Sequence, residues 1–191
     1  MPAKNRSAAG IGHNFAGAKL RHCTGALSTK GRQVLRFDEG DNRFNFRSAA
    51  VIIHNDHVLI HRSEKDDFWA LPGGRVEFFE TSEDTIPREI QEELGLDSSV
   101  VRLVWHVENF FEYIGKKFHE VSNYFLAELT EHPEYVSEKD FPGIEEELDL
   151  IYRWVPVSKL SEYVVKPSFL VKGIQNLPTT TEYIKFNELS S

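Results

Sequence analysis

Three glutamates, Glu89, Glu92 and Glu93, stand at i, i+3 and i+4 in a segment whose apolar residues Ile86, Ile90 and Leu94 recur every four positions. On an α-helix that spacing puts all three carboxylates on one face, beside a stripe that can be buried. Like charges so placed repel, and Glu92 and Glu93 fall in the last turn before Gly95, where the helix dipole disfavours negative charge. Helix stability does not account for the pattern, whereas a hard divalent cation does. Mg²⁺ takes a few carboxylates and keeps positions for water and phosphate oxygens. Arg88, next to Glu89, is placed to reach it or a phosphate.

Such a helix needs a sheet to lie against. From Phe46 an apolar run (Ala49, Ala50, Val51, Ile52, Ile53) breaks at Asn55-Asp56 and resumes at Val58, Leu59 and Ile60, which predicts a hairpin with a buried first strand. Trp69-Ala70-Leu71 reads as a short strand stopped by Pro72-Gly73-Gly74, whose glycines permit close backbone approach or positive φ. The helix follows, with Gly95 as its C′ residue. Residues 100–114 and 117–129 predict a longer hairpin around Gly115-Lys116, and an acidic loop runs from Glu131 to Glu147. Ile151–Val155 is then a strand, and 158–163 and 168–175 are short helices. Strands and helices alternate without a regular βα rhythm, so the expected fold class is α/β, a mixed sheet covered by helices. Residues 1–45 show no sustained period and read as a basic N-terminal extension.

Length and composition narrow the function classes. The 191 residues suffice for one domain with an extension, and 40% apolar and 12% aromatic content excludes wholesale disorder. No uncharged apolar run approaches the roughly 20 residues a membrane-spanning helix needs. A single cysteine, Cys23, excludes an internal disulfide or a Cys-rich zinc site, and the eight histidines show no metal spacing. With no apolar stretch suited to a secretory signal near the amino terminus, a cytoplasmic location is expected. The net charge of -8 is uneven: residues 1–37 hold seven Lys or Arg and no acid, which leaves the remainder at about -15. A body that acidic makes nucleic acid an unexpected partner, and polyanion chemistry on it calls for a metal.

The segment from Gly74 to Leu96 resembles the Nudix box, G-x5-E-x7-R-E-U-x-E-E-x-G-U with U a bulky aliphatic residue. Gly74, Glu80, Arg88, Glu89, Ile90, Glu92, Glu93, Gly95 and Leu96 all fall in register, and Leu71-Pro72-Gly73 before it is also usual in that family. The resemblance covers roughly residues 46–175, with a domain expected over 46–180 and a tail over 181–191. It implies a Nudix-type α/β/α sandwich with a mixed β-sheet and divalent-metal-dependent hydrolysis of a nucleoside diphosphate linked to another moiety X. It implies Mg²⁺, or Mn²⁺ in its place, on Glu92 and Glu93, with Glu89 a further ligand or base, the Gly73 carbonyl a backbone ligand and Glu80 supporting or extending the site. A small-molecule nucleotide substrate and homodimerisation are expected in the same way. Two positions depart from the pattern. Pro87 requires either a helix that begins late, capped by Asp84 or Thr85, or a kink, and Phe78-Phe79 replaces a turn-forming pair and makes Phe79 a candidate substrate contact.

Further candidates come from the residues alone. Glu120 alternates with Phe118, Ser122 and Tyr124, so that face of a strand either lines a cleft or is solvated. The general base stays open among Glu89, Glu120 and one of Glu145, Glu146 and Glu147. Arg47, Arg62 and Arg75 are candidate phosphate contacts or plain surface charges. Phe110, Phe111 and Tyr113 crowd one strand, as core or as a surface for stacking a base. Tyr113 is placed similarly to a tyrosine of dinucleoside polyphosphate hydrolases in the superfamily, and the proline associated with ADP-ribose hydrolases is absent, Phe111 and Glu112 standing there. Two rival functions remain: removal of pyrophosphate from an RNA 5′ end with the basic extension gripping the strand, and a non-catalytic nucleotide-sensing module.

Overall fold

The apolar run 49–53 lies at the centre of a mixed sheet. A computed structural model describes residues 33–131, 133–144 and 149–189. In chain order the elements are β1 (Arg36–Glu39), β2 (Asn42–His54), β3 (His57–Ser63), α1 (Thr85–Leu94), β4 (Ser98–Tyr113) and β5 (Lys116–Leu129). There follow β6 (Asp140–Pro142), β7 (Leu150–Pro156), a 3-10 helix (Val157–Glu162), α2 (Phe169–Gln175) and β8 (Glu182–Asn187). The strand order is β6-β7-β3-β2-β5-β4-β8, with β1 paired to β2. β2 runs parallel to β5 and β4 parallel to β8, while the other pairs are antiparallel.

Alternation along β2 splits the core between the two faces of the sheet. Ala49 and Val51 pack with Leu160, Val165, Leu170 and Ile174 beneath the 3-10 helix and α2, whereas Ala50 and Ile52 pack with Ile86 and Ile90 of α1. The α/β/α sandwich is therefore present. Ile86 and Ile90 are fully buried, each contributing about 1.5–3 kcal/mol of hydrophobic stabilisation to the docking of α1. The β2–β3 turn uses Asn55 and Asp56 at φ 46° and 58°, and the β4–β5 turn Ile114 and Gly115 at 49° and 68°, the left-handed pair that a two-residue hairpin requires.

Pro87 is the third residue of α1, within the first turn, where its missing N–H would have had no intrahelical partner. The helix begins late, then, at Thr85; Asp84 stands at the N-cap position but its side chain makes no capping bond to the helix, its own N–H donating to Thr81 Oγ1 at 3.1 Å. Gly95 ends it at φ 67° with its N–H on the Gln91 carbonyl at 2.9 Å.

The sheet reaches further along the chain than residues 46–180. Residues 36–39 and 42–45 pair with each other, so the expected extension 1–45 contributes β1 and the start of β2. The expected tail 181–191 contributes β8, whose Ile184 and Phe186 pack on the core. β1 is short and mostly charged, and β8 interrupts Tyr183, Ile184 and Phe186 with Lys185, so neither contains a continuous apolar run. The expectations for residues 1–32, Cys23 among them, and for Glu145, Glu146 and Glu147 lie outside the described residues. Among the described residues no helix is long and apolar enough to cross a membrane.

Candidate active site

β2 and β3 pair directly only at Ile53↔Val58 and His54↔His57, then diverge. The gap is filled by residues 70–76, not by a regular strand at 69–71. His61 and Ala70 exchange backbone hydrogen bonds, while Ala50, Ser48 and Val76 bond to Pro72, Gly74 and Phe46 respectively. The Gly73-Gly74 turn is thereby held against β2. A β-carbon on Gly73, at φ 135°, would strike the Ser48 carbonyl, and one on Gly74 would occupy the place of the Glu89 carboxylate. Both glycines are needed, the first for the backbone approach and the second for a carboxylate.

A cavity of about 780 Å³ opens beside this turn. Its floor is one face of β2, β5 and β4, whose register aligns side chains in rows across the three strands: Arg43, Phe118 and Phe111; then Asn45, Glu120 and Asn109; then Arg47, Ser122 and Val107. Glu120 is 8% exposed; Asn45 Nδ2 donates to its Oε2 at 2.7 Å and Ser122 Oγ to its Oε1 at 2.8 Å. Arg75 Nε donates to Asn45 Oδ1 at 3.1 Å, and Arg47 Nη2 to the Gly73 carbonyl at 2.8 Å. Burial, then the charges of Arg47, Arg36 and Arg43, pull the Arg75 guanidinium below its usual range.

Arg88 organises the acidic side. Its guanidinium donates to Glu80 Oε1 and Oε2 at 2.6 and 3.0 Å, to Glu89 Oε1 at 2.7 Å, to Glu92 Oε2 at 3.2 Å and to the Arg75 carbonyl at 3.2 Å. Glu80 also accepts from the Glu77 N–H at 3.0 Å and from Thr85 Oγ1 at 2.9 Å. Burial alone would raise its carboxyl, but the Arg88 hydrogen bond and these donors hold it at about 2. Burial likewise opposes the charge on Arg88, and the hydrogen bonds to Glu80 and Glu89 overcome it and raise its range. Glu93, 3% exposed, accepts a 2.7 Å bond from the Tyr152 hydroxyl.

The donor set suits a hard divalent cation: carboxylates of Glu89 and Glu93 and the Gly73 carbonyl all border the cavity, with no soft ligand among them. The space left by the missing Gly74 side chain is what admits Glu89. Among the described residues no three or more His, Cys, Asp or Glu side chains are gathered into a closed metal cage. Glu80, Glu89 and Glu92 fan around Arg88 instead.

Of the residues singled out from sequence, Arg47, Arg62, Gly73, Arg75, Glu89, Glu93, Tyr113 and Glu120 border one cavity. Arg88, Glu80 and Glu92 stand behind its acidic wall. Arg62 lies 5.2 Å over the Trp69 ring and donates to the Asp66 carbonyl at 3.0 Å. Tyr113 donates to Asp66 at 2.8 Å; burial, then Asp66, push its hydroxyl up to about 12. Phe79 does not join the site: it sits at φ 67°, fully exposed. Phe110 faces away from Phe111, against His119 at 4.7 Å. Sequence reasoning passed over Asn45, His61, Asn109 and Tyr152. Period-two alternation from Phe111 would have placed Asn109 on the same strand face.

Comparison with known proteins places the chain in a family. Residues 45–172 match the NUDIX domain family. Over 91 residues, 44% of this chain, the sequence is 36% identical to 8-oxo-dGTP diphosphatase of Proteus vulgaris, covering 80% of that protein. It is 30% identical over 74 residues, 38% of this chain, to RNA pyrophosphohydrolase of Ruthia magnifica subsp. Calyptogena magnifica. The chain spans only 18–41% of the length of several curated relatives, 41% of the R. magnifica protein among them. In fold it is similar to a NUDIX hydrolase from Nitrosomonas europaea, with a TM-score of 0.53 at 18% identity over 74% of this chain and 78% of the other. With the match running from β2 through α2 and its box folded as loop, helix and left-handed glycine stop, this chain belongs to the NUDIX domain family.

Proposed function

We propose that the chain hydrolyses the pyrophosphate bond of a nucleoside diphosphate linked to another moiety X, with a divalent metal, Mg²⁺ or Mn²⁺. The observation that carries this is the meeting of opposite charges at two consecutive glycines. Arg47 bonds the Gly73 carbonyl, while the Glu89 carboxylate occupies the space beside Gly74. Glu89 and Glu93 with the Gly73 carbonyl, which border the cavity, would hold the metal, with Glu92 beside them on the same helix face as the further carboxylate; when bound, the metal neutralises phosphate charge and polarises water.

The chain's own residues do the rest. The hydrogen bonds found for Arg47 and Arg75 go to a neutral carbonyl and a neutral amide, which suits both guanidinium groups to phosphate oxygens. Glu120 is held by two neutral donors while Glu89 is held by Arg88, so Glu120 is the carboxylate assigned to take the proton of the attacking water. As the water oxygen bonds to phosphorus, the bridging P–O bond breaks and the second phosphate leaves with X. Arg88, which does not border the cavity, is a positioning residue that fixes the carboxylates.

The test is phosphate release, after phosphatase coupling, from NDP-sugars, dinucleoside polyphosphates, nucleoside triphosphates and 5′-triphosphorylated RNA, with Mg²⁺ or Mn²⁺. Metal-dependent turnover of a small nucleotide, lost in Glu93→Gln and reduced in Glu120→Gln, is expected. Turnover of RNA alone would replace the substrate class, and binding of nucleotides without turnover would replace the hydrolase by a sensor.

A further inference from the structure

The middle row of the cavity floor is polar throughout and buried: Asn45, Glu120 and Asn109 are 3, 8 and 4% exposed. Asn45 and Glu120 satisfy one another, with Ser122 on the other carboxylate oxygen. Asn109 stands outside that network. Its amide oxygen is buried without a hydrogen-bond partner among the described residues. Leaving such an acceptor unpaired costs about 1–3 kcal/mol, and the packing does not require it, since Val107 and Phe111 precede and follow it on the same strand face.

The surroundings of Asn109 have a definite shape. In the next row Phe111 stacks on Phe118 at 4.8 Å and 12°, and Phe68 meets the edge of Tyr113 at 5.8 Å; all four rings border the cavity. One row in the opposite direction, about 7 Å along the strands, stands Arg47 at the Gly73 carbonyl. Arg43 lies over the Phe118 ring at 5.5 Å, so the aromatic surface left beside the unpaired Asn109 oxygen is that of Phe111 and Tyr113, with Arg47 and Arg75 together on the far side of the Asn109 row.

We propose that Asn109 is the specificity-determining residue for the nucleobase: its amide reads the hydrogen-bonding edge of a planar heterocycle seated against the Phe111 and Tyr113 rings. This rests on the nucleotide-diphosphate reading above and adds to it the group that selects the base. An amide presents a donor beside an acceptor and pairs with an edge that does the reverse. A site built to hydrogen-bond a ligand rejects one lacking the partner groups far more strongly than an apolar pocket rejects a change of size.

Calorimetric binding of ADP, GDP, CDP, UDP and ribose 5-diphosphate to the full chain, wild type and Asn109→Leu, tests this, with kcat and KM for the matching substrates. The wild type should separate the four bases by at least tenfold. Asn109→Leu should compress that spread below threefold, through KM and not kcat, and leave ribose 5-diphosphate unchanged. Asn109→Asp keeps the shape and should reorder the bases; it serves if the leucine variant melts early. An unchanged spread, an equal loss for ribose 5-diphosphate, or a wild type that binds all four alike or none overturns the proposal. Discriminating binding without any turnover retains it and removes the hydrolase reading instead.

Discussion

The Tyr152 hydroxyl donates a 2.7 Å hydrogen bond to Glu93 across 59 residues of sequence, and both side chains are buried. Tyr152 is fixed in turn between His61 and Phe141, with ring centroids at 5.4 and 5.8 Å. The buried carboxylate proposed to hold the cation is thus oriented by a tyrosine on β7. Replacing Tyr152 by Phe keeps the ring and removes the donor. Mn²⁺ affinity, followed by electron paramagnetic resonance, is expected to fall about tenfold or more, as on loss of a group that orients a ligand. Unchanged affinity would mean that Glu93 does not bind the metal.

The two glycines of the turn should fail in different ways. Gly73→Ala forces a β-carbon onto the β2 backbone at φ 135°, so the protein should lose about 2 kcal/mol or more in denaturant unfolding. Gly74→Ala meets only the flexible end of Glu89, so the fold should hold while metal-dependent turnover drops about 100-fold. Equal melting losses for the two would contradict this division.

Arg75 carries its charge against burial and three neighbouring arginines. Arg75→Gln should therefore melt at the wild-type temperature or above while kcat/KM falls about 100-fold, the signature of a residue retained for binding. A clear loss of stability in thermal melts would instead mark it as structural.

Acid should weaken the fold in two overlapping windows. Burial first, then the charge of Arg47, holds the His61 imidazole down to about 3, so below the ordinary value of 6.5 the unfolded chain takes up a proton that the folded chain refuses. Stability then falls by up to about 1.4 kcal/mol per pH unit from 6.5 towards 3, and His61→Gln should flatten that slope. Glu80 acts lower: held at about 2, its contribution is whole above 4.5 and is lost as pH falls towards 2. Chemical unfolding at intervals from pH 7.5 to 3 reads both, and a His61→Gln profile parallel to wild type would count against the first.

Much of this was legible in the residues. The spacing of Ile86, Ile90 and the glutamates gave α1 its buried and acidic faces, and Asn55-Asp56 and Gly115 marked the hairpins, because helix period and turn chemistry are local. Pro87 was legible as a choice between two helix starts, and the packed structure selected the late one. The short strands β1 and β8, with charged residues interrupting their apolar ones, were not legible, since such a strand is stabilised by the partner it finds more than by its own pattern.

The sequence by itself determined the helix with its acidic face, the glycine pair before it and the family, all within one 23-residue stretch. Only the tertiary structure decided what that stretch faces. Asn45 meets Glu120 across 75 residues, and Asn109 joins the same row, because β2 and β5 pair in parallel at one register and β4 folds back on β5. A shift of one residue in that pairing would turn every one of these side chains to the opposite face. That register is fixed by burying both faces of the sheet at once, a condition set by the whole fold and written in no single segment.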